Sequence, residues 1–376
     1  MLFCDSPGMI AGAVRRVWIS LALAGCGGDD LELPPLVASS KYIAYHTDAD
    51  ASVICMDDIL AREDAFIERT AALLGVDPPD TIDFLWDPVQ DGTEAWACPP
   101  LADCYKSSDD GLSLVVSRKW PHHHELVHAV DLQGLGLTGH PALTEGIAEY
   151  LGSLSPTNPA TEEWPAEFKA IFSEFPTAST YGKVMRFVGA IFERHGAAKY
   201  RELRAKMPEY AGLVEFSEVF AEVYGQSLDD ALEDMVGERV LGQDVFPGCD
   251  DAQTLEWTDD GLLERTIAGE CGDPWFYGPG GVPGQASFYG RYIVEVPEAG
   301  YYDLTVGAVA GGPAPLRGLL TLCTWADASS GVASLDGKMG HALLQAGRHS
   351  LAIAFPPRSE ARGEATVRLE YVGPPV

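Results

Sequence analysis

Residues 120–151 read W-P-H-H-H-E-L-V-H-A-V-D-L-Q-G-L-G-L-T-G-H-P-A-L-T-E-G-I-A-E-Y-L, and the rest of the chain is understood from this stretch. At its centre stands His124-Glu125-Leu126-Val127-His128. Two histidines four apart on a helix project from one face, so both imidazoles can reach one Zn²⁺, with Glu125 beside the metal as candidate general base. Trp120-Pro121 puts proline where a first helical turn tolerates it, and Gly134 reads as the stop. A catalytic zinc site takes three protein ligands and keeps a fourth position open, so one more donor is required. A second helix is expected to open at Pro141, after the glycine-rich turn from Gly134 to Gly139. Glu145 and Glu149 then share one face at i and i+4, which makes Glu145 the third donor. His122 and His123 are rotated from His124 by about 100° per residue and are expected on the rim of the site, not among the ligands. His140, before Pro141, is expected as a turn residue.

H-E-x-x-H, sixteen residues, then E-G-I-A-E-Y resembles the glutamate-ligand branch of the zincin metallopeptidases, which includes thermolysin-like and aminopeptidase-N-like enzymes. It is most similar to the bacterial peptidase-MA-like proteins, with H-E-L-x-H followed by P-x-L-x-E-G-x-A-E-Y. The resemblance implies His124, His128 and Glu145 as ligands of Zn²⁺ and Glu125 as general base. It also implies Glu149 as a carboxylate that orients a ligand histidine, here glutamate where thermolysin-like enzymes carry aspartate. Phe220 to Leu228, F-A-E-V-Y-G-Q-S-L, is similar to the closing element of peptidase-MA-like domains, so the resemblance covers about Lys41 to Val245. Two further expectations follow from it. The strand Leu112 to Ser117 would lie along the cleft, where substrate backbone can pair with it. Tyr181 would stabilise the oxyanion of the reacting carbonyl, a role worth about 10² to 10³ in rate. The G-x-M-E-N motif of aminopeptidase-N-like enzymes is absent, which tilts the expectation toward an endopeptidase or a specialised substrate.

The net charge of −31 over 376 residues, with no offsetting basic stripe, argues against nucleic acid as a partner. The N-terminus carries an address. Arg15 and Arg16 precede the apolar run Val17 to Ala24, which closes in Leu23-Ala24-Gly25-Cys26, the order of a secretory signal. L-A-G-C resembles the bacterial lipobox, which implies removal of residues 1–25, a lipid on Cys26, a tether over 26–40 and an envelope location, with Gly27-Gly28 resembling outer-membrane sorting. The remaining cysteines, Cys55, Cys98, Cys104, Cys249, Cys271 and Cys323, are an even set and read as disulfides. Cys98 with Cys104, and Cys249 with Cys271, are candidate pairs that leave Cys55 to Cys323; the connectivity stays open.

The fold class expected is α+β: a zincin-like metallopeptidase domain over 41–246, a small sheet plus a helical bundle, then an all-β sandwich over 247–376. Lys41 to His46, Ala51 to Met56 and Thr81 to Trp86 read as strands, and a helix capped by Asp57 or Asp58 runs to Leu74 with Gly75 as its stop. Trp164 to Phe175, Thr180 to His195, Ala197 to Met207, Val214 to Tyr224 and Leu228 to Val240 show helical spacing, with His195 as a favourable C-terminal cap. After Phe246-Pro247-Gly248 the apolar period becomes two over Ser287 to Val296, Tyr301 to Ala308, Leu316 to Cys323, His349 to Phe355 and Ala365 to Tyr371. Val294 to Val306 and Ala342 to Ala354 echo each other as strand, A-G turn, strand. This half is similar to sandwich domains appended to secreted bacterial hydrolases, and Trp275, Phe276 and Tyr277 read either as a sugar- or protein-contact surface or as core. The function expected is a zinc-dependent hydrolase acting on a peptide or protein substrate, in which Glu125 activates a zinc-bound water. The alternative is a non-catalytic, surface-anchored binding lipoprotein with a structural or degenerate metal site.

Overall fold

A computed structural model describes residues 3–4, 33–48, 55–87, 103–107, 113–118, 120–136, 139–152, 160–173, 180–238, 240, 252–258, 261–273, 275–280, 287–310, 315, 317–323, 331–335, 337–356 and 362–375. The apolar leader run, Cys26, Cys98, Cys249 and residues 51–54 lie outside this set. Among the described residues no helix is long and apolar enough to cross a membrane.

The first half of the chain builds one sheet from β1 (Phe3–Cys4), β2 (Leu36–Ser39), β3 (Ile43–His46), β4 (Ile82–Trp86), β5 (Cys104–Ser107) and β6 (Ser113–Ser117), in the order β1-β5-β6-β4-β3-β2. Strands β3, β4 and β6 run parallel, with β2 and β5 antiparallel on either side. Parallel strands covered on both faces read as continuous apolar runs, and all five residues of β6 are buried. Residues 36–39, expected within the tether, thus add an edge strand. Of the described elements, removal of the expected leader would take away β1.

The β3-to-β4 crossover carries α1 (Met56–Leu74), whose buried positions Ile59, Leu60, Glu63, Phe66, Ile67, Thr70, Ala71 and Leu74 trace one helical stripe. Gly75, at φ 65°, ends it as expected. Met56 opens the helix instead of closing a strand, and the N-cap is Cys55. Asp57 and Asp58 therefore sit in the first turn, where their charge faces the positive end of the helix dipole. Then follow α2 (His123–Leu135), α3 (Pro141–Gly152), α4 (Trp164–Ala170), α5 (Tyr181–Lys206), α6 (Leu213–Tyr224) and α7 (Leu228–Asp234). Helix α5 is broken at Gly196, as the two expected helices require, and α7 ends well before Val240. His195 packs its ring against Tyr224 with centroids 4.6 Å apart. Burial, then Arg194 and Lys199, lower its pKa from the ordinary value.

Helix α2 also differs at both ends from the expected boundaries. Trp120-Pro121 precedes it, and Gly134 lies inside it. The stop is Gly136, at φ 59°. Gly134 is required for close approach: a Cβ there would stand 2.6 Å from a Val76 methyl.

The second half folds as two sheets facing one another across a core. One comprises β13 (Gly331–Leu335), β12 (Arg317–Leu322), β15 (Gly347–Phe355), β10 (Ser287–Val296) and β7 (Gln253–Leu255), with β9 (Phe276–Gly280) also on β10. The other runs β14 (Gly340–Leu344), β11 (Gly300–Gly307), β16 (Arg362–Gly373) and β8 (Leu262–Glu270). Side chains of β11 alternate strictly between buried and half-buried, the period of a strand with one face in a core. Phe288, Tyr292, Leu351 and Ile353 of one sheet pack in the same core as Tyr302, Leu304, Val367 and Leu369 of the other. The echoed turns are corners: the first leads from β10 in one sheet to β11 in the other, and the second leads back from β14, beside β11, to β15, beside β10. The echo therefore closes a sandwich, with β10 paired to β15 and β11 to β14.

The two halves are joined through α1. Cys55 is bonded to Cys271 across 216 residues of chain, which corrects the candidate pairing of Cys271 with Cys249 and of Cys55 with Cys323; Cys104 and Cys323 each take part in a further disulfide, whose partners lie outside the described residues. The Cys55 N–H donates to Gly278 O at 2.9 Å, and the Gly272 N–H donates to the Asp58 carboxylate at 2.9 Å. Tyr277 is buried in the core of the first half, its ring beneath the Arg62 guanidinium at 4.7 Å, while Phe276 lies in the sandwich core. Replacing Cys55 and Cys271 by serine is expected to cost about 2–5 kcal/mol, because the bond constrains a long loop of the unfolded chain. Thermal melts of the double variant measure this, and an unchanged melting temperature would show that the covalent link adds nothing to the docking.

Candidate metal centre

Helices α2 and α3 bring three donors to one point. His124 Nε2 and His128 Nε2 are 3.1 Å apart, His124 Nε2 and Glu145 Oε2 3.2 Å, and His128 Nε2 and Glu145 Oε2 3.4 Å. A tetrahedral Zn²⁺ with nitrogen and oxygen ligands at about 2.0–2.1 Å holds its ligand atoms roughly 3.3–3.4 Å from each other. The observed triangle has that size. Three lone-pair atoms at such separations in a buried site repel unless a proton or a cation stands among them. His124, His128 and Glu145 are all buried, and they are the metal-capable group among the described residues.

The convergence depends on how closely the helices approach. His124 and His128 share one face of α2 by their spacing, and Glu145 occupies the second turn of α3. Gly152, at the end of α3, lies against the first turn of α2: a Cβ there would stand 2.7 Å from the backbone nitrogen of His124. Any larger residue would push the helices apart and open the triangle.

Charge in the metal-free site is distributed by these contacts. Burial works against a charged His124 ring, but hydrogen bonds with Glu145 and Glu149 outweigh it and raise its pKa well above the ordinary value. Burial would raise Glu145, yet the charge of His128 and hydrogen bonds with both imidazoles hold it far below the ordinary carboxylate range. Glu125 goes the other way. Burial pushes its pKa up to about 7 against the opposing pull of His124 and His128, and its Oε2 is buried without a hydrogen-bond partner. A buried carboxyl with a proton affinity near neutrality has the property a general base needs.

Glu149 Oε1 lies 3.4 Å from His124 Nδ1, the ring nitrogen turned away from the donor triangle. Tyr181 opens α5 with its ring centre 5.9 Å from that of His124. His140 accepts the Ala142 N–H on Nδ1 and donates to Ala211 O from Nε2, so it fixes the entry to α3 as a turn residue. His122 and His123 are not rim residues. His122 is buried, its Nδ1 2.9 Å from the Ser117 hydroxyl, which donates to Asp103. His123 stacks on Phe66 and meets the buried Glu63.

Strand β6 also departs from expectation. Both of its edges are taken, by β4 and β5, so no backbone remains there for a substrate to pair with. Asp103, Glu63, Asp131 and Arg204 were not singled out from the sequence. The legible signal was charge at apolar-stripe positions: Glu63 interrupts the buried face of α1, and Asp131 that of α2.

This is a buried His-His-Glu group with a carboxylate of raised pKa beside it. No protein-family model matches the chain, and no curated protein matches it. Among solved structures, a GH26-CBM35 β-(1,4)-mannanase of Podospora anserina aligns at 15% identity over 31% of this chain and 29% of that chain, with a TM-score of 0.16. A family 35 carbohydrate-binding module of Clostridium thermocellum aligns at 13% identity over 31% of this chain and 96% of that chain, with a TM-score of 0.15. Scores this low carry no argument about fold or function.

Proposed function

We propose that the chain is a zinc-dependent peptidase of the zincin type, exported and held at the bacterial envelope by a lipid on Cys26. The observation that carries this reading is the donor triangle of His124, His128 and Glu145, sized for Zn²⁺, with the buried Glu125 carboxyl next to it. When bound, Zn²⁺ supplies Lewis acidity, lowering the pKa of coordinated water toward about 7 and polarising a carbonyl. Glu125 takes the proton of the attacking water and passes it to the leaving amine. Glu149 accepts from His124 Nδ1–H and so selects the tautomer whose Nε2 lone pair enters the triangle. Tyr181 donates its hydroxyl to the oxygen of the reacting carbonyl. With β6 enclosed, backbone pairing of a substrate passes to β5, which packs against α2, once removal of the leader takes β1 off its outer edge.

Metal analysis of the purified chain, paired with a peptide-library digest, tests this. Stoichiometric zinc and cleavage that is lost to a chelator and restored by zinc are expected. Zinc without cleavage of any library member would leave a non-catalytic binding protein, and absence of zinc would remove the metal centre. Zinc affinity is also expected to rise from pH 6 to pH 8. His124 holds a proton above its ordinary range in the metal-free site, and Glu125 holds one up to about pH 7, so binding releases protons and is favoured as they become scarce. Calorimetry in buffers of different ionisation enthalpy counts the protons released; a count of zero at pH 6 would contradict the charge distribution described.

A further inference from the structure

We propose that Glu63 of α1 is a positioning residue of the metal centre, acting through His123. The inference rests on the proposed metal site and extends it to a helix that contributes no ligand. Glu63 is 1% exposed; its Oε1 is hydrogen-bonded with His123 Nε2 at 3.2 Å, and its Oε2, buried and without a hydrogen bond, lies 3.1 Å from the same nitrogen. An acid in the middle of an apolar stripe is costly to bury, so its partner matters. That partner is the first residue of α2, directly before the ligand His124.

The His123 ring is held on two sides. Its Nε2 meets Glu63, and its face stacks on Phe66 with centroids 4.2 Å apart and planes 16° from parallel. Both contacts come from consecutive turns of α1. Fixing the His123 ring fixes the backbone orientation of the first turn of α2, and with it the direction from which His124 enters the donor triangle. Gly152 of α3 presses on the same turn from another side. Helix α1 is itself anchored to the sandwich by Cys55, Asp58 and Arg62. The second domain thereby braces the element that aims His124.

A double-mutant cycle on zinc affinity tests this, read by competition with a chromophoric chelator, with circular dichroism and a thermal melt as checks on folding. Glu63→Ala is expected to weaken zinc binding about tenfold, at the lower end of what partners of metal ligands contribute. His123→Ala is expected to do the same, and the double variant to be no worse than either single one. Glu63→Gln keeps the volume and one acceptor without the charge; it serves if the alanine variant does not fold, and its affinity is expected to fall between wild type and Glu63→Ala. Wild-type affinity in a folded Glu63→Ala or Glu63→Gln variant would overturn the proposal, as would losses that simply multiply in the double variant. Absence of zinc from the wild type would instead sink the metal centre itself, so the two failures are distinct.

Discussion

Replacing Glu125 by glutamine is expected to leave zinc bound and to lower peptide-bond hydrolysis by roughly 10²–10⁴-fold, the usual contribution of a positioned acid–base group. The substitution is nearly isosteric, and Glu125 is not one of the three donor atoms, so affinity for the metal should change little. What is lost is a carboxylate able to accept a proton. Burial holds its pKa near 7 in the metal-free protein, with His124 and His128 pulling it down, so proton acceptance and return lie close to balance at neutral pH. The measurement is kcat on a cleavable peptide beside zinc content by atomic absorption. Unchanged kcat with zinc retained would remove Glu125 from the reaction, and loss of zinc would show that it holds the metal site together instead.

The largest expected effect on stability lies behind the site. Asp131 and Arg204 are paired at 2.5 Å with both side chains wholly buried, joining α2 three residues after His128 to the second part of α5. Two ions taken out of water tolerate each other only as a pair. Asp131→Ala leaves the guanidinium in the interior without its counter-charge, which typically costs about 3–5 kcal/mol. In the wild type burial lowers the pKa of Arg204 and Asp131 more than offsets it; without Asp131 the guanidinium still keeps its proton, as arginine does in proteins, so the cation does not escape by becoming neutral. Denaturant melts of Asp131→Ala and of an Asp131→Leu/Arg204→Met pair separate the two costs: the pair should recover most of the loss, since well-packed apolar residues often replace a buried ion pair without penalty. A single variant within about 0.5 kcal/mol of wild type would mean that water reaches Arg204.

The donor triangle was legible because helical spacing determines direction. Residues four apart must share a face, so His124 and His128 converge wherever that segment is helical, and Glu145 and Glu149 align on the next helix for the same reason. The strands of the sandwich were legible by their period of two, Ser287–Val296 to the residue. Helix boundaries were less so. Gly134 and Pro121 are common punctuation, yet one serves close packing against Val76 and the other precedes the helix.

Local pattern by itself thus determined the α+β class, the alternation of the second half, and which side chains on α2 and α3 face together, since each follows from dihedral geometry over a few residues. Partners distant in sequence were decided only by the tertiary structure. Cys55 meets Cys271, Glu63 meets His123, Asp131 meets Arg204, and β6 is enclosed between β4 and β5. Charge on an apolar stripe announces that a partner is needed. Which residue answers depends on how helices cross and strands order, and that is set by packing the whole core, where no local spacing carries the information.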